Sequence, residues 1–387
     1  VSLLSSKRPD APPHLGDPTL LAALAAASAA LARLDSATTL HPLLPALLHR
    51  TRLDAARRQA AADGHLIDPW HLAATLEGLP LRAIRDSEWV RDAGALQDAA
   101  RLALDYHRWL AAPDGDAEDQ VLVALAALEG QCPYGVPLLD AAWGAWLWLE
   151  RGGTRPPLRA ALVRRWGTVG VLRAPLPITG AAALGPDQPW DPAFWIPAVL
   201  RAVTAEAGAA LDLLVEMERR WLTARAAVAA GRRRTSRAPA AVDLLAAVSL
   251  VSATTLAAAL EMSVKAACAI LDELVRLEVV VEVTHRHSRR LFGLAGLAPL
   301  RQVAAPPRRP QPGRGRGRPR ELPAVVEEPP EVLPPPSLPR AGPLERRAFD
   351  YGDLEAAMQA VDEAIRKARA GLARVAGTAR ADDDAAG

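Results

Sequence analysis

The run Arg314-Gly315-Arg316-Gly317-Arg318-Pro319-Arg320 sets guanidinium groups at alternate positions, with only glycine or proline between them. Arginines spaced by residues without a Cβ can lie flat along a narrow minor groove, where the potential is most negative and bulkier side chains meet the walls. The chemistry on offer is charge neutralisation and groove insertion, not bond making. A solvated basic linker would have the same composition. Other constellations are weaker. His65 and His71 flank Asp68 and Trp70, but six residues separate them and Pro69 turns the chain, so a shared metal or acid/base site is not expected. The acidic run Asp114-Gly115-Asp116-Ala117-Glu118-Asp119 lacks the ligand order and closing glutamate of a calcium loop and reads as a solvated connection. No phosphate-binding glycine loop or dinucleotide fingerprint is found, so no catalytic residue, metal or cofactor is expected.

The elements that would position the arginine run lie just upstream. Residues 239 to 297 read as a winged helix-turn-helix. A first helix, Ala241 to Val248, precedes a second that Ser252 can cap and that reaches Leu260, and a third that Ser263 can cap, from Val264 to about Leu277. Leu256, Leu260, Val264, Cys268, Leu271, Leu274 and Val275 recur at helical spacing and are expected to pack the three together. Lys265, Ala266, Ala269, Asp272, Glu273 and Arg276 are left to solvent. The β-branched run Val279 to Thr284 and the segment Leu291 to Leu294 predict a hairpin with a cationic tip, His285 to Arg290, of the kind that rests on a phosphate backbone. The candidate DNA contacts here are Ser263, Lys265 and Arg276 on the third helix and Arg286, Arg289 and Arg290 at the tip, with Asp272 and Glu273 opposing phosphate.

Arg316-Gly317-Arg318-Pro319 matches the core of the AT-hook, a short A·T-preferring DNA-binding motif, and Arg314 and Arg320 supply its flanking charge. The resemblance implies contacts from Arg314, Arg316, Gly317, Arg318, Pro319 and Arg320. Val251 to Ala257 with Leu260-Glu261-Met262-Ser263 resemble bacterial winged-helix regulators, in particular the DNA-binding tail behind the catalytic domain of some Fic proteins. Glu261 departs from that pattern, since many members carry glycine in this turn. Ala29 to Asp35, Pro42 to Pro45 and the helix from Arg50 are loosely similar to the helical segment that precedes the Fic catalytic domain. Fic catalysis needs a histidine followed by a glycine- and asparagine-rich anion loop. None of His14, His41, His49, His65, His71, His107, His285 and His287 is followed by one. In overall order the chain is similar to an uncharacterised group of bacterial helix-turn-helix proteins, often plasmid-borne, through the Asp92-Ala93-Gly94 turn and the leucine-rich helices around it. That likeness implies DNA binding and regulation only.

At 387 residues and 50% apolar, the chain has ample material for a buried core. Its net charge is only +2, so affinity for nucleic acid must come from local clusters. Arg232, Arg233, Arg234 and Arg237 form one, and residues 301 to 320 hold seven arginines and no acid. Cys132 and Cys268 read as core positions and suggest a reducing compartment. No leader is recognised, and Leu20 to Ala32 reads as a buried helix rather than a membrane span. A cytoplasmic, nucleoid-associated protein is the expectation.

The fold class expected is mainly α. A disordered N-terminus (1–17) leads to an all-helical bundle (18–230), whose tryptophans, crowded at Trp143, Trp146 and Trp148, read as core packing. Asp191 and Pro192 open a long helix reaching about Ala230. The winged helix-turn-helix (239–297) follows, then a Pro/Arg/Glu-rich disordered linker (301–345) and an amphipathic helix (351–377). In that last helix Leu354, Met358, Val361, Ile365, Ala368, Leu372 and Val375 keep a heptad seam suited to a homodimer or another protein partner. Three readings stand: a DNA-binding regulatory or plasmid/chromosome-maintenance protein on double-stranded, A·T-rich DNA, with no membrane partner; a helical protein-interaction adaptor; and a degenerate Fic-like protein. Arginine-glycine tracts also bind RNA, so the DNA preference is open at this stage.

Overall fold

The structure, a computed structural model, describes residues 16–79, 93–130, 132–185, 189–229, 236–285 and 290–304. It divides into two compact units, Val1–Leu344 and Glu345–Gly387, and the described residues all belong to the first. The amphipathic helix over 351–377 and the arginine-glycine run lie outside them.

The protein is mainly helical. In chain order the elements are α1 (Pro18–Thr38), α2 (Leu44–Ala62), α3 (Pro69–Leu76), α4 (Ala93–Ala111), α5 (Gly115–Glu129), α6 (Pro137–Glu150), α7 (Arg155–Thr168), a 3-10 turn (Ala181–Leu184) and α8 (Pro192–Ala229). Then come α9 (Ala238–Ala247), β1 (Val251–Ser252), α10 (Ala253–Ala259), α11 (Val264–Arg276), β2 (Val280–Glu282), β3 (Leu291–Leu294), a second 3-10 turn (Ala295–Leu297) and α12 (Ala298–Val303). Several helices start where an aspartate takes a free amide and proline fills the first turn. Asp17 accepts from the Thr19 amide at 2.9 Å, Asp68 from Trp70 at 2.8 Å and Asp191 from Ala193 at 2.8 Å.

Small residues let the helices approach closely. α1 lies along α8 and buries Leu20, Ala23, Ala27, Ala30, Leu31 and Leu34. At 21 residues it is longer than the apolar segment from Leu20 to Ala32, and by length and hydropathy alone it could cross a membrane. Trp143, Trp146, Trp166, Trp195 and Trp221 lie in the core, and three of their indole N–H groups find backbone acceptors: Trp146 donates to Trp190 O at 3.0 Å, Trp166 to Ile178 O at 2.7 Å and Trp195 to Ala183 O at 3.0 Å. Trp143 and Trp146 stack at 5.3 Å.

Two buried charged groups among these helices are answered by partners. Arg159, wholly enclosed, donates to Thr179 Oγ1 at 2.9 Å and Ala55 O at 2.8 Å. Glu206 accepts from the amides of Thr179, Gly180 and Ala181 at 2.7, 2.9 and 2.8 Å, so its carboxylate closes the first 3-10 turn.

Two sequence expectations are corrected. The acidic run from Asp114 is not a connection: it forms the first turn of α5, where negative charge meets the helix dipole, and Glu118 grips Arg164 with both oxygens, at 2.6 and 2.5 Å. Cys132 is exposed rather than in the core, lying 3.6 Å from Glu129 O. The chain also stays folded past Leu300. α12 packs on α3, burying Leu300, Val303 and Ala304 with Ala74, Leu79 and Val283.

β1, β3 and β2 form a three-stranded antiparallel sheet in that order, with Val251 opposite Phe292, Val280 opposite Leu294 and Glu282 opposite Phe292. One contiguous apolar core runs from Leu20 in α1 to Leu294 in β3. α9 is enclosed nearly all round, and its Asp243 accepts from Trp221 Nε1 of α8 at 2.8 Å.

Candidate nucleic-acid interface

Local chemistry fixes the two helices that matter most. Ser252 Oγ accepts from the Thr255 amide at 3.1 Å and starts α10, and Ser263 Oγ accepts from Ala266 at 3.2 Å and starts α11. Between them the axis turns through 114°. The turn needs one left-handed residue. Glu261 supplies it at φ 51°, the Met262 amide reaches back to Ala257 O at 3.0 Å, and Leu260 ends the helix. Glu278 repeats the device after α11 at φ 57°, with the Val279 amide on Leu274 O at 3.1 Å.

α11 buries Ala267, Leu271 and Leu274, while Leu256 and Leu260 meet them from the α10 side. The opposite face carries Lys265, Ala269, Asp272 and Arg276, all exposed. Lys265 and Arg276 lie eleven residues apart, three helical turns or about 16 Å along the axis, so they share that face. The expectation that Val264 and Cys268 pack inward is corrected. Val264 is 47% exposed and Cys268 is exposed, because the helix phase chosen by Ala267, Leu271 and Leu274 turns those two outward.

The acids on α11 are each paired. Arg290 Nη1 meets Asp272 Oδ1 at 2.8 Å while its guanidinium lies over the Phe292 ring at 4.7 Å, and Arg276 Nη2 lies 3.5 Å from Glu273 Oε1. The expected repulsion of phosphate by Asp272 and Glu273 is reduced by these pairs. The structure thus brings Ser263, Lys265, Arg276 and Arg290 into one module. Arg286 and Arg289 lie outside the described residues, as do Arg314, Arg316, Gly317, Arg318, Pro319 and Arg320. Behind the hairpin, Arg301 pairs with Glu282 at 2.9 Å and Arg301 O lies 2.7 Å from a ring nitrogen of His285, which fastens α12 to β2.

His65 and His71 do not share a site. His65 is exposed, whereas His71 is buried with Nδ1 3.5 Å from Asp68 Oδ1 at the start of α3. Burial works against the charge on Asp68, but the hydrogen bond from His71 and the Trp70 amide hold its carboxyl below the usual range.

A concentration of charge that the sequence did not single out gathers where α2, α4 and α8 meet. His49, Arg50 and Arg52 come from α2 and His107 from α4, with the two imidazole centroids 6.4 Å apart at 71°. Burial, then the charges of Arg50 and Arg52, push the His49 pKa down to about 4. Burial, then His49, Arg52 and Arg108, push His107 to about 4. Burial, with the charge of Arg220 on α8, also lowers Arg50. The sequence signal was no more than His-Arg-Thr-Arg on one helix and a histidine 58 positions beyond His49.

No protein-family model matches the chain, and no curated protein matches it.

Proposed function

We propose that the protein is a DNA-binding regulatory or plasmid/chromosome-maintenance protein, in which α9, β1, α10, α11, β2 and β3 make a winged helix-turn-helix. On this reading α11 enters the major groove, the hairpin tip with Arg286, Arg289 and Arg290 rests on phosphate, and Arg314 to Arg320 grip an adjacent minor groove. The observation that carries it is the exposed face of α11. After a 114° turn from α10, it presents Lys265 and Arg276 in line, with the acids between them already paired. The element order helix, strand, helix, helix, hairpin supports it as well. Two weak modules joined by a tether raise each other's effective concentration, so avidity replaces strong base readout. The reading assigns no catalytic step.

Fluorescence anisotropy with A·T-rich and G·C-rich DNA duplexes and an RNA duplex across a salt series tests it. Binding should favour the A·T-rich duplex and fall steeply with salt. Lys265→Ala should weaken all duplexes alike and lower the log–log salt slope by about 1. Alanine at both Arg316 and Arg318 should abolish the A·T preference. Binding that ignores salt and all three residues would reject the proposal.

A second reading is favoured by one feature of the same face. Val264 at 47% and Leu277 at 43% exposure flank the cations with apolar surface, which suits a protein-docking helix of an adaptor.

A further inference from the structure

We propose that the basic cluster between α2, α4 and α8 is a binding site for a small free oxyanion of the phosphate class. His107 is only 6% exposed, yet among the described residues neither Nδ1 nor Nε2 has a hydrogen-bond partner. The Nε atoms of Arg50 and Arg52 are likewise buried and, among the described residues, unpartnered, and burial lowers both guanidiniums. His49 faces His107 across 6.4 Å. Buried charge and buried ring nitrogens are costly unless something answers them.

Elsewhere Arg159 keeps that rule with Thr179 and Ala55 and Glu206 with three amides, while Gln59 Oε1 and Arg165 Nε each break it singly. At the α2–α4 contact it is broken at Arg52 Nε and at both ring nitrogens of His107, and Arg50 Nε breaks it again on the side of α2 turned toward Arg220; the guanidiniums donate to an anion as they stand, and the neutral imidazole donates through one nitrogen. A metal ion fits poorly. Among the described residues no group of three or more His, Cys, Asp or Glu stands together, and the surrounding charges on Arg50, Arg52, Arg108 and Arg220 repel a cation. A tetrahedral oxyanion instead offers several acceptor oxygens to guanidinium forks and imidazoles that converge from two helices. The enclosure of His107 favours an ion that enters whole over a phosphate held on a polymer.

The location gives the site a reach beyond its own helices. Arg220, whose charge opposes Arg50, pairs with Glu216 and passes over Gly296 in the turn after β3, where any Cβ would collide with its guanidinium. An anion in the cluster offsets part of the charge that Arg50 and Arg220 present to each other beside that turn.

The test is thermal denaturation and calorimetric titration of the full chain with inorganic phosphate, against sodium chloride at matched ionic strength, with a short DNA duplex as a separate arm. Phosphate, and not chloride, should raise the melting temperature saturably. Arg52→Gln and His107→Phe should each weaken phosphate binding by about tenfold or more. In the intact protein, whatever the variants' folding, phosphate should move the His107 ring nitrogen resonances toward imidazolium. No phosphate-specific stabilisation, or binding unchanged in both variants with unmoved ring resonances, would overturn the proposal. Displacement of phosphate by the duplex, with duplex binding lost in Arg52→Gln, would overturn the free-ion assignment and place a DNA phosphate there.

Discussion

Without an anion present, the His49–His107 contact should make the protein acid-labile at a pH where most of its carboxylates are still ionised. Both rings have an ordinary value of 6.5 and are pushed to about 4 in the fold, first by burial and then by neighbouring cations. Between pH 6.5 and 4 the unfolded chain therefore binds protons that the folded chain refuses, so stability falls as pH falls through that window. At about 1.4 kcal/mol per pH unit, one ring held neutral across it costs on the order of 3 kcal/mol by pH 4, an upper limit where water reaches the ring. The two titrate as a coupled pair, so the second protonation is harder than the first. The carboxylates act lower. Glu216, held at about 2 by hydrogen bonds from Arg219 and Arg220, and Asp63, held below its usual range against burial by Tyr106, Gln59 and Arg155, lose their contributions only as pH drops below about 4. Urea unfolding at half-unit pH steps in a phosphate-free buffer measures the effect. His107→Phe keeps a ring of similar size and removes one titrating group, so the loss from pH 6.5 to 4 should shrink by about 3 kcal/mol or less while stability at pH 7.5 changes little. An identical acid slope in wild type and variant would show that His107 is not held neutral, and the reasoning about the cluster would fail with it.

Two further predictions concern the module around α11. Glu261→Gly should stabilise the protein by about 0.5–1 kcal/mol in urea unfolding, because a side chain at φ 51° carries backbone strain that glycine lacks, whereas Glu261→Val should destabilise it. Asp243→Ala leaves the Trp221 indole N–H without its 2.8 Å acceptor and Arg225 without its 3.2 Å carboxylate, both inside the α8–α9 contact; a loss of about 3 kcal/mol is expected, read as a lower melting temperature with a shifted tryptophan emission.

Much of the helical order was legible because helix starts are local chemistry. Ser252, Ser263 and the pair Asp191-Pro192 mark their helices with short side chains whose partners lie two or three residues on, and the structure begins α10, α11 and α8 there. The hairpin strands followed from a β-branched run. The two-residue β1 had no such signal, since it exists only through pairing with β3. Val264 and Cys268 were misplaced because the apolar pattern of α11 admits two phases. The burial of the small Ala267 settles it, a choice made by packing rather than by residue type. Asp114 to Asp119 has the composition of a solvated loop, and only the dipole of α5 and the pairing of Glu118 with Arg164 give its acids a structural role. Least legible was the basic cluster, whose members come together only when α2 packs on α4, and the arginine-glycine run of the candidate interface lies outside the described residues.

The enclosure of α9 bears on how the chain can be cut. Ala238, Ala241, Val242, Asp243, Leu244, Leu245 and Ala246 are all buried, so this ten-residue helix is a wall between α8 on one side and α11 and β3 on the other. Excision before it strips Trp221 of its acceptor, and excision after it opens the side of α11 and β3 that α9 covers. A fragment ending on either side of α9 exposes a fresh apolar flank and should aggregate. Cleavage between Arg237 and Ser249 should therefore leave both flanks with uncovered apolar surface.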